Sequence, residues 1–196
     1  MRNRIRRRVV PIFIRIAERL SVRKRSEDLP ILRALVAPSS TIRLLDIGGG
    51  AGTATERFSE GCGEVIVLEP NRKKLVVGRR RRPALRFHEG RGESIPFPDD
   101  YLDRAVAVVS LHHADDQAQV LREMRRVLRR SGRLVLAELP HSRVPGLFGR
   151  WIGGHMHGPS LSFLEAPELK EKVEAAGFVD VAIHPGATCY FVTATK

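Results

Sequence analysis

Residues 44–52 read Leu-Leu-Asp-Ile-Gly-Gly-Gly-Ala-Gly, an apolar run that carries an acid, Asp46, into glycines at 48, 49, 50 and 52. Glycine lets a backbone turn sharply and pass close to a ligand. The spacing is not that of a dinucleotide loop, since Thr53 stands where a third packing glycine would be, and no Gly-Lys-Ser/Thr follows to make a phosphate loop. A carboxylate at the loop entrance would repel a pyrophosphate and suits a ligand with a cationic end. A second acid, Glu69, closes the next apolar run 23 residues after Asp46. An acid at that place can accept hydrogen bonds from both hydroxyls of a ribose. A nucleoside with a positively charged tail meets both demands.

The elements that must hold these residues follow from the pattern. Ile42–Ile47, Glu64–Leu68, Ala84–His88, Asp103–Leu111 and Arg133–Leu139 read as strands. Thr53–Glu60, Asn71–Arg80 and Asp115–Arg130 read as the helices between them. Alternation at these spacings implies a parallel sheet with helices on both faces. A short helix is expected to end near Pro38, and another at the start, from Pro11 to about Leu20. Near the other end, Glu165–Ala176 reads as a helix stopped by Gly177. Phe178–His184 and Ala187–Thr195, with only Pro185-Gly186 between them, read as an antiparallel hairpin.

The composition fits one ordinary domain of 196 residues. No apolar stretch approaches the roughly 18 residues of a membrane-spanning helix. Val9–Ile14 is too short for a signal-peptide core. Two cysteines in no paired motif, Cys62 and Cys189, exclude a disulfide framework and a cysteine zinc site, and a reducing cytoplasmic setting is expected. The net charge of +12 is concentrated: residues 1–25 hold ten basic side chains against Glu18, and residues 72–91 hold nine against Glu89. Such local fields suit an anionic partner, either RNA or a membrane surface to which the protein would be peripheral, or else are a solvated arginine-rich surface.

Four segments in order, LLDIGGGAG, VLEPN, GESIPFPDDYLD followed by AVAVVSLHH, and VLREMRRVLRRSGRLVLAE, resemble the class I S-adenosylmethionine-dependent methyltransferases. The narrower likeness is to the quinone-biosynthesis and small-molecule (type 11) group, and it covers roughly Thr41 to Leu139. The resemblance implies a Rossmann-like α/β fold, a doubly wound, mostly parallel sheet of seven strands with a C-terminal antiparallel hairpin, and S-adenosyl-L-methionine as cofactor. It also implies roles. Gly48, Gly50 and Gly52 would line the methionine portion, with Asp46 near it. Glu69 would hold the ribose, Pro70 would flank the adenine, and Gly92 would offer backbone to its edge. Ser110 would sit beneath the methionine amine. In the family an acceptor for the adenine amine commonly follows Gly90; here Arg91 stands there, and arginine has only donors. Arg91 is expected to turn into solvent or to stack on the ring. The organisation expected is a basic helical segment, 1–38, serving as lid or surface-binding element, and a methyltransferase domain, 39–196, with 141–162 a variable insertion over the acceptor.

Methyl transfer needs alignment and water exclusion, and a general base where the acceptor is a hydroxyl or an acidic carbon. His112 and His113 follow the fourth strand and are the candidates for that base; each could equally be a structural histidine. His141, Trp151, His155 and His157 fall in the insertion and would shape the acceptor pocket, whose aromatic and thioether content suits an apolar or aromatic small molecule. No metal is implied. Three readings stand: a small-molecule methyltransferase, a tRNA- or rRNA-directed one using the basic clusters, and a non-catalytic cofactor-binding scaffold. The intact Asp46, Glu69 and glycines argue against the last, and the scarcity of aromatic residues argues against the second.

Overall fold

The strands expected from the apolar runs all form, within one sheet. They are β1 (Arg43–Ile47), β2 (Glu64–Glu69), β3 (Arg86–Glu89), β4 (Leu102–Val108), β5 (Leu128–Glu138), β6 (Val179–Pro185) and β7 (Tyr190–Thr195). The structure, a computed structural model, describes residues 27–140 and 162–196. The sheet order is β3-β2-β1-β4-β5-β7-β6. The first five strands run parallel, and β7 is antiparallel to both β5 and β6. The order reverses at β1/β4, the place where an open α/β sheet leaves a crevice beyond the strand ends.

Helices cover both faces. Residues 27–36 (α1), Thr53–Phe58 (α2) and Arg72–Arg81 (α3) bury Leu32, Val36, Phe58 and Leu75 in one apolar cluster with Leu44, Val67 and Val135. Gln117–Val127 (α4) and Ala166–Ala175 (α5) bury Val120, Leu121, Met124, Leu169 and Val173 in the other, with Leu45, Ile66 and Leu136. Strands flanked on both sides read as continuous apolar runs, which is why β1, β2 and β4 stood out in the sequence. Three helix starts are capped by side chains. Asn71 Oδ1 accepts from the N–H groups of Lys73 and Lys74, Asp116 Oδ1 accepts from Gln119, and Glu165 and Glu168 make a reciprocal box on α5.

Two boundaries differ from expectation. The helix expected to reach Arg130 stops at Val127, and β5 begins at Leu128. The N–H groups of Asp100 and Tyr101 donate to the carbonyls of Arg126 and Val127, taking up the helix end. Leu128 then pairs with Leu102 across a bulge and is fully buried. Packing of one leucine against a neighbouring strand overrides a continuing helical pattern. The hairpin loop is also longer than two residues. Pro185 pairs with Tyr190, and residues 186–189 form the loop. Asp28 of α1 accepts from the N–H groups of Ala187, Thr188 and Cys189 at 2.6–2.9 Å, a distant acid stabilising the turn. The helix expected from Pro11 to Leu20 and nearly all of the 141–162 insertion lie outside the described residues.

Candidate cofactor and active site

At the carboxyl ends of β1, β2 and β4 lies a cavity of about 420 Å³, a size suited to a small ligand. Six of the nine cofactor-site candidates line it: Gly48, Glu69, Pro70, Arg91, Gly92 and Ser110.

The glycine loop is shaped by close approach. Gly48 has φ +75°, and a Cβ there would lie 2.6 Å from the Cβ of Ser110. Gly50 has φ +63°, with no atom nearer than 3.7 Å to where its Cβ would be. The first glycine is therefore demanded by the protein's own packing. The second is demanded by backbone conformation and leaves open space beside the cavity. Gly52 faces the apolar cluster, where Leu85 would meet its Cβ at 2.7 Å, so packing alone requires a glycine there.

Glu69 is 4% exposed and both its oxygens are engaged by backbone: Oε2 accepts from Gly50 N–H at 3.0 Å and Oε1 from Asn71 N–H at 2.9 Å. Lys74 Nζ stands 3.8 Å from Oε2. A carboxylate has about four lone-pair sites, so the arrangement fixes the group while leaving acceptor capacity toward the cavity.

Asp46 is placed differently from expectation. It does not line the cavity; its carboxylate sits beneath the loop, where a Cβ on Gly49 would strike it. Thr55 Oγ1 donates to Oδ2 at 2.5 Å, and Oδ1, fully buried, has no partner among the described residues. Burial pushes this carboxyl up to about 7; the Thr55 hydrogen bond opposes the rise and the nearby charge of Glu69 adds to it. A buried acid with an unused acceptor behind the loop, and Glu69 in the cavity wall, fit a ligand with a cationic end and a ribose.

Arg91 stands at the cavity mouth, and its guanidinium is held by acids: Asp115 at 2.5 Å and Glu93 at 3.4 Å. The two expectations for it were solvent or stacking; ion pairing explains its place here. The opposite wall carries strain. Val109 has φ +50°, which a β-branched residue rarely adopts, and its N–H donates to Ala137 at the end of β5. β4 thus ends at Val108 rather than continuing to Leu111, and Ser110 sits on a turn with its hydroxyl donating to Ile47 O at 2.7 Å.

His112 and His113 separate in function at this turn. His113 lines the cavity; His112 is 5% exposed and does not. The ring of His112 stacks on Phe163 at 4.4 Å, and its Nδ1 is 2.7 Å from Glu138 Oε2. Glu138 Oε1 also accepts from the N–H groups of Ser110 and Leu111. Sequence reasoning did not single out Glu138. The signal was present, because it ends the last parallel strand with an acid as Glu69 ends β2. His141, Trp151, His155 and His157 lie outside the described residues.

Residues 45–136 match the family model described as a methyltransferase domain. The chain is 34% identical over 103 residues to the demethylmenaquinone methyltransferase of Paenarthrobacter aurescens, covering 53% of this chain and 41% of that protein. It is 38% identical over 105 residues to the ubiquinone/menaquinone biosynthesis C-methyltransferase UbiE of Vibrio vulnificus, covering 49% and 40%. It thus spans about two fifths of the length of these curated relatives. The YcgJ protein of Bacillus subtilis has the same fold, with a TM-score of 0.70 at 20% identity over 86% of this chain and 97% of that one. The fold is that of the Rossmann-like methyltransferases. The domain is a class I S-adenosylmethionine-dependent methyltransferase domain of the type 11 group.

Proposed function

We propose that the protein transfers a methyl group from S-adenosylmethionine to a small apolar or aromatic acceptor. The observation that carries this is Glu69, held in the cavity wall by Gly50 and Asn71 with lone pairs to spare for a ribose. Relatives named for methylating quinone precursors support an acceptor of that chemical kind. The cofactor, when bound, supplies an electrophilic methyl on a sulfonium.

The chain's own residues do the rest. The Gly48–Gly52 loop and Gly92 bring backbone close to the ligand, Glu69 accepts from its hydroxyls, and Pro70 offers an apolar wall. The buried Asp46 sets a hydrogen-bonding carboxyl behind the loop. Ser110 and His113 form the wall nearest the described end of the insertion, where Ser162 N–H donates to His112 O. The acceptor would take the methyl group that the cofactor supplies, and where it is a hydroxyl or an acidic carbon its proton would go to a base, for which His113 is the candidate in the cavity.

The test is transfer of labelled methyl from S-adenosylmethionine into fractionated cell extract by the full chain. Label in the lipid or small-molecule fraction supports the reading. Label in RNA alone would replace it with an RNA-directed activity, and absence of S-adenosylhomocysteine binding by calorimetry would remove the cofactor assignment.

A further inference from the structure

Outside residues 72–91, the described chain carries 13 basic and 20 acidic side chains. Within that stretch nine bases face one acid. The described positive charge is therefore gathered on α3 and the edge strand β3. Most of those cations are occupied. Arg72 pairs with Glu89, Arg82 with Glu56, Arg86 with Glu64, Lys74 approaches Glu69, and Arg79 donates to Phe87 O. Among the described residues, nothing engages the side chains of Lys73, Arg80 or Arg81.

These three share the outward side of α3. Leu75 and Gly78 are buried, which sets the inward face. At about 100° per residue, Lys73 and Arg80 then lie at the opposite apex, with Val76 about 50° to one side and Arg81 about 90° to the other, at the flank. Val76 is 64% exposed, the most exposed large apolar residue described. The face lies at one edge of the sheet, and Lys74, from the same helix, lines the cavity mouth.

We propose that this face docks on an anionic phospholipid surface beside the opening of the cavity. Two features select lipid over RNA. An aliphatic side chain placed among cations suits the boundary between headgroups and acyl chains, where phosphate attracts the cations and the apolar group enters. Surfaces that bind single-stranded RNA use exposed aromatic platforms, and the one Phe, Tyr or Trp of this stretch, Phe87, is buried. Lys73, Arg80, Arg81 and Val76 together meet the membrane on a convex helix face, with Arg72 and Arg86, both largely exposed, at the margins.

The test uses the full chain and phosphatidylcholine vesicles with and without phosphatidylglycerol. The wild type is expected to cosediment only with the anionic vesicles, and less at high salt. The triple variant Lys73→Gln, Arg80→Gln, Arg81→Gln should lose partitioning by about a hundredfold, since each cation near an anionic surface contributes roughly fivefold. Val76→Glu should also weaken it, with every cation retained. Partitioning unchanged in the triple variant overturns the proposal and assigns binding to other cations. Wild-type binding to a structured RNA but not to the vesicles overturns it in favour of nucleic acid. S-adenosylhomocysteine affinity, measured on the same variants, is expected to stay at the wild-type value; its absence from the wild type would be a failure of the methyltransferase reading, not of this one.

Discussion

The N–H of Gly50 donates to Oε2 of Glu69 at 3.0 Å, joining the loop after β1 to the acid that ends β2. The acid expected to hold a ribose therefore also holds the loop expected to lie along the cofactor. One carboxylate fixes two walls of the cavity, so the ligand meets a surface already formed.

Replacing Glu69 by alanine is expected to weaken S-adenosylmethionine and S-adenosylhomocysteine alike, because both carry the same ribose. The loss of charge-assisted hydrogen bonds corresponds to about 1.5–3 kcal/mol for each ligand. Calorimetric titration of both ligands checks it, and weakening of only one would remove the ribose role.

Gly50→Val tests the loop with little confusion from packing. Space exists for a side chain, but φ +63° would strain a β-branched residue by about 1–3 kcal/mol. The variant should remain folded by circular dichroism, lose some thermal stability and bind no cofactor. Wild-type cofactor affinity in the folded variant would separate the loop from the ligand.

The loop, the strand order and the ribose acid were legible in the sequence because each depends on local residue type: glycines after an apolar run, and an acid after the next. What was not legible depends on partners far along the chain. Asp46 reads as a cavity acid, yet Thr55, one turn into α2, draws its carboxylate beneath the loop. Arg91 reads as a departure from pattern until Asp115, 24 residues on, is found beside it. The start of β5 at Leu128 is set by Leu102, and the role of Glu138 by a turn 26–28 residues earlier. No periodicity marks such pairings.

Asp46 gives the protein a pH signature. Its folded pKa is raised from 3.8 to about 7, so its contribution to stability is fully present below pH 4 and is lost as pH rises through 7. Asp46→Asn removes that dependence. Relative to wild type, the ligand-free variant should gain stability on going from pH 5 to pH 8, by at most about 3 kcal/mol, since the dependence of 1.36 kcal/mol per pH unit runs only up to the folded pKa. Urea denaturation at the two pH values measures it; a constant difference between the proteins would show that Asp46 titrates normally.

Glu138 is expected to be structural for the wall that carries Ser110 and His113. Glu138→Leu would leave two backbone N–H groups and the His112 ring without their acceptor in a buried place, costing about 3–5 kcal/mol. Glu138→Gln keeps an acceptor for the N–H groups but offers the ring a donor. It should cost about 1–2 kcal/mol and move the His112 hydrogen from Nδ1 to Nε2. Denaturation and nitrogen chemical shifts of the histidine read these separately, and an unchanged tautomer in the glutamine variant would place the controlling contact elsewhere.

Arg91 decides how the adenine end of the cavity is built. Its guanidinium is engaged by Asp115 and Glu93, and its side chain is 56% exposed. Exposed ion pairs of this kind contribute about 0–1 kcal/mol to stability. Arg91→Ala should therefore change the melting temperature little. Cofactor affinity should move by less than about threefold, since 1.4 kcal/mol would be needed for a tenfold change and the guanidinium is committed to acids rather than to the ring. S-adenosylhomocysteine serves as the better probe, because it keeps the adenine and lacks the sulfonium charge that a neighbouring cation would repel. A gain confined to S-adenosylmethionine would mark long-range repulsion by Arg91. A tenfold loss with both ligands would mean that the guanidinium leaves its two carboxylates on binding and stacks on the adenine, and the ion-paired arrangement would then describe only the ligand-free protein.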